Sequence, residues 1–330
     1  MLNNESESMN TTGAGPGGPE GGSWKRGFWS LFVTQFQGAF SDNAFKFVVM
    51  FLVMAEVSRE RQDELAPVIG AVFALPFVLF SMFGGMLADR YSKRSIAIAT
   101  KVAEVGIMSL ALIGLLTLQV WLLVLVVFLM STQSAFFGPS KYGLLPEMLP
   151  QSRLSWGNGY ISLGTFVAII LGTVVAGQLS ERFSDALWIP GVFLVILAVC
   201  GLVTSLGIKK LPAANPGREL RLNFFPDLFR QIRSIRKDRS LFLAIIGDAY
   251  FLFLGAMLQL TVLFYGKETL MLSESRISYL MGAMAIGIGI GSFLAGYLST
   301  GKIEYGLVPL GAIGLTLACF GLALPGADFQ

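Results

Sequence analysis

The chain has 330 residues, of which 54% are hydrophobic and only 14% are charged, and its formal net charge is +3. Soluble domains carry about 25% charged residues, so this composition excludes an ordinary water-soluble globular protein. The net charge is also too small to suggest the basic surface of a nucleic-acid-binding protein, and we expect no nucleic-acid partner.

Long apolar stretches that contain no charged residue recur along the sequence. Each has about 20 residues or more, enough at a rise of about 1.5 Å per residue to cross a hydrocarbon core of roughly 30 Å. Backbone amides in lipid must hydrogen-bond within their own segment, so these stretches are predicted helices of an all-α membrane protein. They are residues 66–88, 154–180, 186–208, 277–301 and 305–327.

The apolar pattern predicts about nine membrane spans in chain order. The stretch from Val105 to Ser140 is too long for one helix, and we place a turn at Thr117–Val120 between the third and fourth spans. The predicted spans lie near 27–56, 66–88, 95–118, 121–140, 155–180, 187–208, 241–266, 277–300 and 305–326.

The charged loops between the spans alternate in sign. Lys25 and Arg26 precede the first span, and the segments 89–94 and 209–239 are net basic, whereas the loop 57–65 is net acidic. Cytoplasmic loops carry an excess of lysine and arginine. We therefore expect a multi-pass protein of the bacterial inner membrane, with a cytoplasmic N-terminus and a periplasmic 57–65 loop.

These features divide the chain into four parts. Residues 1–23 are rich in glycine, serine and asparagine and predict a disordered cytoplasmic tail. Residues 24–208 form a six-helix bundle, 209–239 a cytoplasmic linker, and 240–330 a partial bundle of three helices. Within the linker, an amphipathic basic helix is predicted, either as a strap between the bundles or as a lipid sensor. Its apolar face comprises Phe225, Leu228, Phe229, Ile232 and Ile235, and its basic side comprises Arg230, Arg233, Arg236 and Lys237.

Charged side chains within the first span are candidates for function. A charge at the centre of the bilayer costs about 2.5–3.5 kcal/mol on insertion scales, so a sequence retains one there for a reason. Asp42 and Lys46 are four residues apart and share a helix face with Gln35. Either they contact substrate in a central cavity, or they form an intrahelical ion pair that fixes packing. The phenylalanines of this span are expected to face lipid or neighbouring helices.

Other polar residues in the spans extend the set of substrate-binding candidates. Lys141 closes the fourth span and is suited to a phosphate or to the cytoplasmic mouth. Lys101 and Glu104, three apart in the third span, indicate a structural ion pair or a lysine that reaches the interface. The remaining candidates are Asn43, Gln133, Asp248, a potential partner of Lys46 or Lys101, and Gln259.

The loop between the second and third spans resembles the loop signature of the major facilitator superfamily. The residues are Gly85-Met86-Leu87-Ala88-Asp89-Arg90-Tyr91-Ser92-Lys93-Arg94, with Ser92 where the signature has glycine. The resemblance implies two six-helix halves and alternating access. We expect Gly85 to allow close helix packing, and the charges at 89, 90, 93 and 94 to form a cytoplasmic gate. The alternative is that the basic residues only fix topology.

Two further stretches narrow this resemblance to the bacterial lysophospholipid transporter family. They are Gly38-Ala39-Phe40-Ser41-Asp42-Asn43-Ala44-Phe45-Lys46 and Phe137-Gly138-Pro139-Ser140-Lys141-Tyr142-Gly143-Leu144-Leu145-Pro146-Glu147. The family also occurs fused to a 2-acylglycerophosphoethanolamine acyltransferase and an acyl-carrier-protein synthetase, which are therefore possible partners beside membrane lipid. Its stand-alone members have a basic residue late in the seventh span, where the nearest residue here is Gln259.

The resemblance implies a transporter rather than an enzyme. The fused acyltransferases use a His-x-x-x-x-Asp site, and this chain has no histidine. We expect neither cofactor nor metal. A complete fold of the superfamily has twelve spans, so a chain with about nine is expected to be truncated. Three functions remain open: a lysophospholipid flippase, a proton-coupled drug or metabolite antiporter of the same fold, and a non-transporting membrane anchor.

Overall fold

The computed structural model describes residues 23–56, 58–217, 225–298 and 306–323. Throughout these residues the regular secondary structure is helical. A short 3-10 helix, Gln151–Arg153, precedes α5, and a π-helical turn, Tyr265–Thr269, continues α8. The tail predicted at 1–23 lies outside the described residues except for Ser23. The helices are α1 (Ser23–Glu56), α2 (Arg59–Arg90), α3 (Lys93–Thr117), α4 (Val120–Met148), α5 (Leu154–Arg182), α6 (Trp188–Ser205), α7 (Phe225–Ile235), α8 (Arg239–Phe264), α9 (Glu274–Leu298) and α10 (Leu307–Ala323).

Most of these helices are suited to a bilayer. Among the described residues, α1 to α6 and α8 are long and apolar enough to cross a membrane, and α10 contains a shorter apolar helix, Val308–Gly321. Each of the nine predicted spans coincides with a helix, counting α9 and α10 as the last two. The protein is a multi-pass, all-α integral membrane protein.

The turn between the third and fourth spans is confirmed, but two helix ends differ from prediction. Leu118 has a φ of 51°, the left-handed conformation that separates α3 from α4. The second span begins at Arg59 rather than near 66, because charged residues such as Arg59 and Glu64 continue a helix readily at its aqueous end. The fourth continues to Met148 through Pro139 and Pro146, since neighbouring helices compensate for prolines in membrane helices.

The chain divides into two compact units, Met1–Gly282 and Ala283–Gln330. The second unit contains the end of α9 together with α10, whose described side chains are largely exposed. In the first unit α1 is central and packs against α4, α5 and α6, while α2 packs against α4 and α3 against α4 and α6.

Glycines bring some of these helices unusually close. A Cβ on Gly172 of α5 would collide with the backbone oxygen of Phe40 in α1. A Cβ on Gly84 of α2 would lie 3.0 Å from the Ala135 oxygen in α4. The prediction that Gly85 provides the close approach is wrong, because a Cβ there would meet no described atom within 4 Å. Gly84, one residue earlier, faces α4 instead.

Aromatic residues mark both ends of the six-helix bundle. Where α1 and α5 begin, Trp29 lies 6.5 Å from Trp156, and Trp156 lies 4.5 Å from Tyr160, between ring centroids. At the opposite end, where α4 and α6 begin, Trp121 and Trp188 are exposed. Tryptophan and tyrosine concentrate at membrane–water interfaces, so the two levels indicate how the bundle sits in the bilayer.

The amphipathic helix predicted in the linker is present as α7. Its side chains Phe229 and Ile232 are exposed, as is Arg233. Arg236 and Lys237 follow the end of the helix rather than belonging to it. The helix is too short, at 11 residues, to cross a membrane.

Candidate functional site

A cavity of about 360 Å³ lies among α1 to α5 in the first unit. Its volume is within the range of roughly 300–1,000 Å³ that is usual for ligand cavities. The wall is polar on one part and aromatic on another. The polar residues are Gln35, Asp42, Asn43, Lys101, Gln133, Ser134, Lys141 and Thr165, and the main apolar ones are Phe73, Phe77, Phe137 and Ile169.

The predicted polar face of α1 lines this cavity. Gln35 and Asp42 are seven residues apart, which is almost two helical turns, so their side chains point in the same direction. Gln35 Nε2 donates to Thr165 Oγ1 on α5 at 3.0 Å. Asn43 also lines the cavity, and its amide nitrogen donates to the Ala39 oxygen of its own helix at 2.8 Å.

Asp42 has one satisfied and one unsatisfied carboxylate oxygen. Ser134 Oγ donates to Asp42 Oδ2 at 2.6 Å. Asp42 Oδ1 is buried and has no hydrogen-bond partner among the described residues. A buried acceptor without a donor costs about 1–3 kcal/mol, so this oxygen is suited to a ligand that donates a hydrogen bond.

Lys46 does not pair with Asp42 in this structure. Its Nζ lies 4.6 Å from the centroid of the Phe47 ring and 4.7 Å from that of Phe73. The intrahelical ion pair, one of the two interpretations of the sequence, is thus not formed, and cation–π contacts hold the ammonium instead. Lys46 is buried behind the cavity wall, which Phe73 supplies.

Lys141 is the lysine of α4 that lines the cavity. It lies two residues beyond Pro139, and its Nζ is 4.4 Å from the centroid of the Tyr142 ring. Its side chain is buried, and among the described residues no carboxylate oxygen lies within 4 Å of its Nζ. A buried cation in this position is suited to an anionic ligand group.

A buried hydrogen-bonded cluster lies beside the cavity, and we call it the Glu104 network. It comprises Gln37, Lys101, Glu104, Gln133 and Ser134. Lys101 Nζ lies 2.5 Å from Glu104 Oε2, so the structural pair predicted from the sequence is present. Lys101 also lines the cavity, a role that the sequence analysis did not assign to it.

The loop between α2 and α3 is tied down by contacts within the first unit. Lys93 forms an ion pair with Glu147 of α4. Arg94 Nη2 donates to the backbone carbonyl oxygen of Leu206 at 2.9 Å, and the backbone N–H of Asn215 donates to the backbone carbonyl oxygen of Asp89 at 2.7 Å. Arg90 lies over the Tyr91 ring at 5.7 Å. These contacts join α2 and α3 to α4 and to the segment that follows α6.

Three substrate-binding candidates do not line the cavity: Lys46, described above, and two residues of α8. Asp248 and Gln259 both lie on α8, and neither belongs to the cavity wall. The Asp248 side chain is exposed, and the carboxylate paired with Lys101 is that of Glu104.

Several cavity residues were missed by sequence reasoning. Phe73, Phe77 and Phe137 form its aromatic wall. Phe47 and Phe51 of α1 are buried in packing, in agreement with the expectation that the phenylalanines of this helix face lipid or neighbouring helices. The sequence alone does not show whether an apolar residue in an apolar span lines a cavity or packs against another helix.

Long apolar helices around a cavity that presents both a carboxylate and an ammonium group are typical of a membrane transporter. Comparison with known proteins supports this class. The model of the Major Facilitator Superfamily matches residues 31–329 of the chain. The chain belongs to the Major Facilitator Superfamily.

Curated relatives have more specific names. The chain is similar to the lysophospholipid transporter LplT of Shigella boydii, with 29% identity over 309 residues that cover 91% of this chain and 73% of that protein. It is 28% identical to the lysophospholipid transporter LplT of Escherichia coli, with the same coverage.

Solved structures agree on the fold. A mutant of the peptide transporter POT in complex with sulfate has a TM-score of 0.57 and 13% identity, covering 87% of this chain and 72% of that one. A second structure of the mutant transporter has a TM-score of 0.56 and 14% identity, covering 84% and 70%. The chain spans about half the length of another POT family transporter, in complex with 5-aminolevulinic acid, with a TM-score of 0.48.

Proposed function

We propose that this protein moves lysophospholipids across the bacterial inner membrane by alternating access. The observation that carries the proposal is that one cavity contains both an unpaired cation and an unsatisfied carboxylate oxygen. Lys141 lacks a carboxylate partner among the described residues, and Asp42 Oδ1 lacks a hydrogen-bond donor there. A zwitterionic head group has an anionic phosphate for Lys141 and a cationic ammonium for Asp42. The similarity to lysophospholipid transporters favours this substrate over others with the same charges.

Each end of the head group has a candidate partner in the cavity. Lys141 binds the phosphate and Asp42 the ammonium of ethanolamine, since charge-assisted hydrogen bonds are the strong ones. Lys46 is the weaker candidate for the phosphate, because its ammonium is already held between two phenylalanine rings. Gln35, Asn43 and the other polar wall residues complete the head-group site.

The aromatic wall suits the single acyl chain. Phe73 and Phe77 lie on α2, and Phe137 lies on α4. These rings provide an apolar surface next to the polar wall, and we place the start of the acyl chain against it.

We assign the cytoplasmic side of the protein from the distribution of basic residues in its loops. The end that carries Lys25, Arg26 and the 89–94 loop faces the cytoplasm, and α7 lies on the anionic inner leaflet. In the proposed cycle, the cluster of Asp89, Arg90, Lys93 and Arg94 stabilises one state of the gate. Residues 24–208 are the first bundle, 209–239 the linker, and 240–330 the part of the second bundle that this chain contains.

The product of such a transporter is a substrate for acylation on the inner leaflet. The partner that we propose is a neighbouring or fused acyltransferase with a His-x-x-x-x-Asp site, whose histidine serves as general base. An operon that holds such a gene next to this one supports the proposal, and one that holds a drug-responsive regulator opposes it.

A proton-coupled antiporter is the second candidate. Two buried carboxylates, Asp42 and Glu104, favour it, because buried acidic groups serve as proton carriers in transporters. Glu104 is paired with Lys101, however, so of these two carboxylates Asp42 is the better candidate to carry the proton.

Reconstitution in liposomes tests the two functions against each other. The purified protein is supplied with fluorescent lysophosphatidylethanolamine, lysophosphatidylglycerol and diacyl phosphatidylethanolamine, and transfer between leaflets is followed by extraction with albumin. We expect the lyso species alone to move faster than in protein-free vesicles. Export of a cationic dye under a proton gradient, with no lipid transfer, would replace our proposal with the antiporter.

A further inference from the structure

We infer that the Glu104 network presents the side-chain oxygen of Gln133 as a second acceptor next to Asp42, so that the cavity selects a ligand group with at least two hydrogen-bond donors. The inference rests on the proposed function, because it describes how the ammonium of the head group is recognised. It assigns Glu104, Lys101 and Gln37 as positioning residues. None of the three needs to touch substrate for this role.

The network is continuous from α3 to Asp42. Gln37 Nε2 donates to Glu104 Oε1 at 2.8 Å, and Lys101 Nζ donates to Gln37 Oε1 at 2.8 Å. Glu104 Oε2 accepts from Gln133 Nε2 at 3.5 Å, and the same nitrogen lies 3.2 Å from Ser134 Oγ. The Ser134 hydroxyl then donates to Asp42 Oδ2. These hydrogen bonds thus connect helices α1, α3 and α4 and end at the Asp42 carboxylate.

The chemistry of the partners fixes the orientation of the Gln133 amide. An ionised glutamate only accepts hydrogen bonds, so Glu104 must face the nitrogen of Gln133 rather than its oxygen. The single proton of the Ser134 hydroxyl is donated to Asp42, so this hydroxyl can only accept from Gln133. Both Glu104 and Ser134 therefore accept hydrogen bonds from Gln133 Nε2, and Gln133 Oε1 is directed away from the network.

Two acceptor oxygens remain without donors at this point of the cavity. Gln133 Oε1 and Asp42 Oδ1 are both buried, and neither has a partner within the described residues. Their side chains line the same cavity, and both are joined to Ser134. Each unsatisfied acceptor costs about 1–3 kcal/mol, and one group that donates to both would remove the two penalties together.

A stabilising role alone does not explain the network. Glu104 is 0% exposed and Lys101 is 1% exposed. Replacing a buried ion pair by apolar residues of similar volume is often neutral or stabilising. Orientation of the Gln133 amide is a function that an apolar pair cannot provide.

A primary ammonium group fits two acceptors because it has three N–H donors. Successive methylation removes these donors one at a time while the positive charge remains. Attraction to the Asp42 carboxylate therefore persists in the whole series, and only the number of hydrogen bonds changes. This separates the contribution of Gln133 from that of charge.

The test uses lysophosphatidylethanolamine and its N-methyl, N,N-dimethyl and N,N,N-trimethyl forms in proteoliposomes. For the wild-type protein we expect one drop in transfer efficiency, of roughly tenfold, between the N-methyl form, with two donors, and the N,N-dimethyl form, with one. In Gln133→Met the drop moves to the step between the N,N-dimethyl and N,N,N-trimethyl forms, because one acceptor remains.

The positioning residues are tested with Glu104→Gln combined with Lys101→Met, which leaves no lone charge buried. These two substitutions together free the Gln133 amide to rotate. We therefore expect the drop in transfer efficiency to move to the step between the N,N-dimethyl and N,N,N-trimethyl forms, as in Gln133→Met. The matched control is Gln119→Met, the same change at an exposed turn, which keeps the wild-type pattern.

The outcomes separate this inference from the proposed function. A wild-type protein that transfers lysophosphatidylethanolamine with a drop elsewhere, or with none, overturns the inference and leaves the proposed function intact. A drop that stays in place in Gln133→Met also overturns it. Transfer of no lyso species refutes the proposed function. If Gln133→Met does not yield folded protein, Gln133→Leu and the wild-type series carry the test.

Discussion

Ser134 of α4 donates a 2.6 Å hydrogen bond to Asp42 of α1, and this contact joins the two helices that contribute the opposite charges of the cavity. Lys141 lies two turns along α4 from Ser134. The carboxylate and the ammonium that line the cavity therefore lie on two helices that are joined by a direct side-chain hydrogen bond.

Loss of the Asp42 charge should abolish transport. We expect Asp42→Asn to insert and fold normally, because asparagine has nearly the same shape and still accepts from Ser134. Transfer of labelled lysophosphatidylethanolamine in proteoliposomes should fall to the rate of protein-free vesicles. Size-exclusion profiles in detergent provide the control for folding. Wild-type transfer by this variant would remove Asp42 from the site.

Lys141 should determine affinity for the phosphate. Replacing it by glutamine removes one charge-assisted hydrogen bond, worth about 1.5–3 kcal/mol, so we expect the apparent KM to rise at least tenfold. Lys141→Arg should retain much of the affinity. The matched control is Lys210→Gln, which neutralises an exposed lysine outside the cavity. An equal effect of the two neutralising changes would exclude Lys141 as the phosphate ligand.

The ion pair between Lys93 and Glu147 should stabilise one state of the gate. Lys93→Glu and Glu147→Lys are each expected to change the transport rate severalfold, because each leaves two like charges in contact. The double charge reversal should restore most of the rate. Additive effects in this double-mutant cycle would show that the pair does not act as a unit.

Membrane orientation can be tested by labelling single cysteines. In intact spheroplasts, an impermeant maleimide should label Ser58→Cys, at the start of α2, and leave Asn215→Cys unlabelled. Both tests use a background with Cys200→Ser and Cys319→Ser, the two native cysteines. The reverse pattern of labelling would invert the orientation that the loop charges predict.

Much of the fold was predictable, because a membrane imposes a length on each helix. The apolar runs located every span, and the turn near Leu118 followed from the excessive length of one run. The ends of α2 and α4 were not predictable, since charged residues and prolines are compatible with both helix and loop at an interface. The residue at which α2 begins and the residue at which α4 ends depend on packing between helices, which the sequence alone does not show.

The candidate site was predictable where charge or spacing carried a signal. Asp42 and Gln35 stand out because polar residues are costly in a span and share a helix face. The same reasoning ranked Lys46 equally with Lys141, and tertiary contacts separate them: two aromatic rings hold Lys46. The role of Ser134 depends on contact with another helix, which no periodicity reveals.

The central position of α1 has a consequence for biogenesis. Its most apolar window has a mean hydropathy of 1.4, against 1.9 to 2.2 for the other candidate spans, yet 83% of that window is buried. On leaving the translocon, α1 would expose Asp42 and Lys46 to lipid until α4, α5 and α6, against which it packs, have been synthesised. Assembly with the later helices therefore shields the two charges of α1 from lipid. A nascent chain arrested before α5 would present quality-control proteases with an unshielded polar helix.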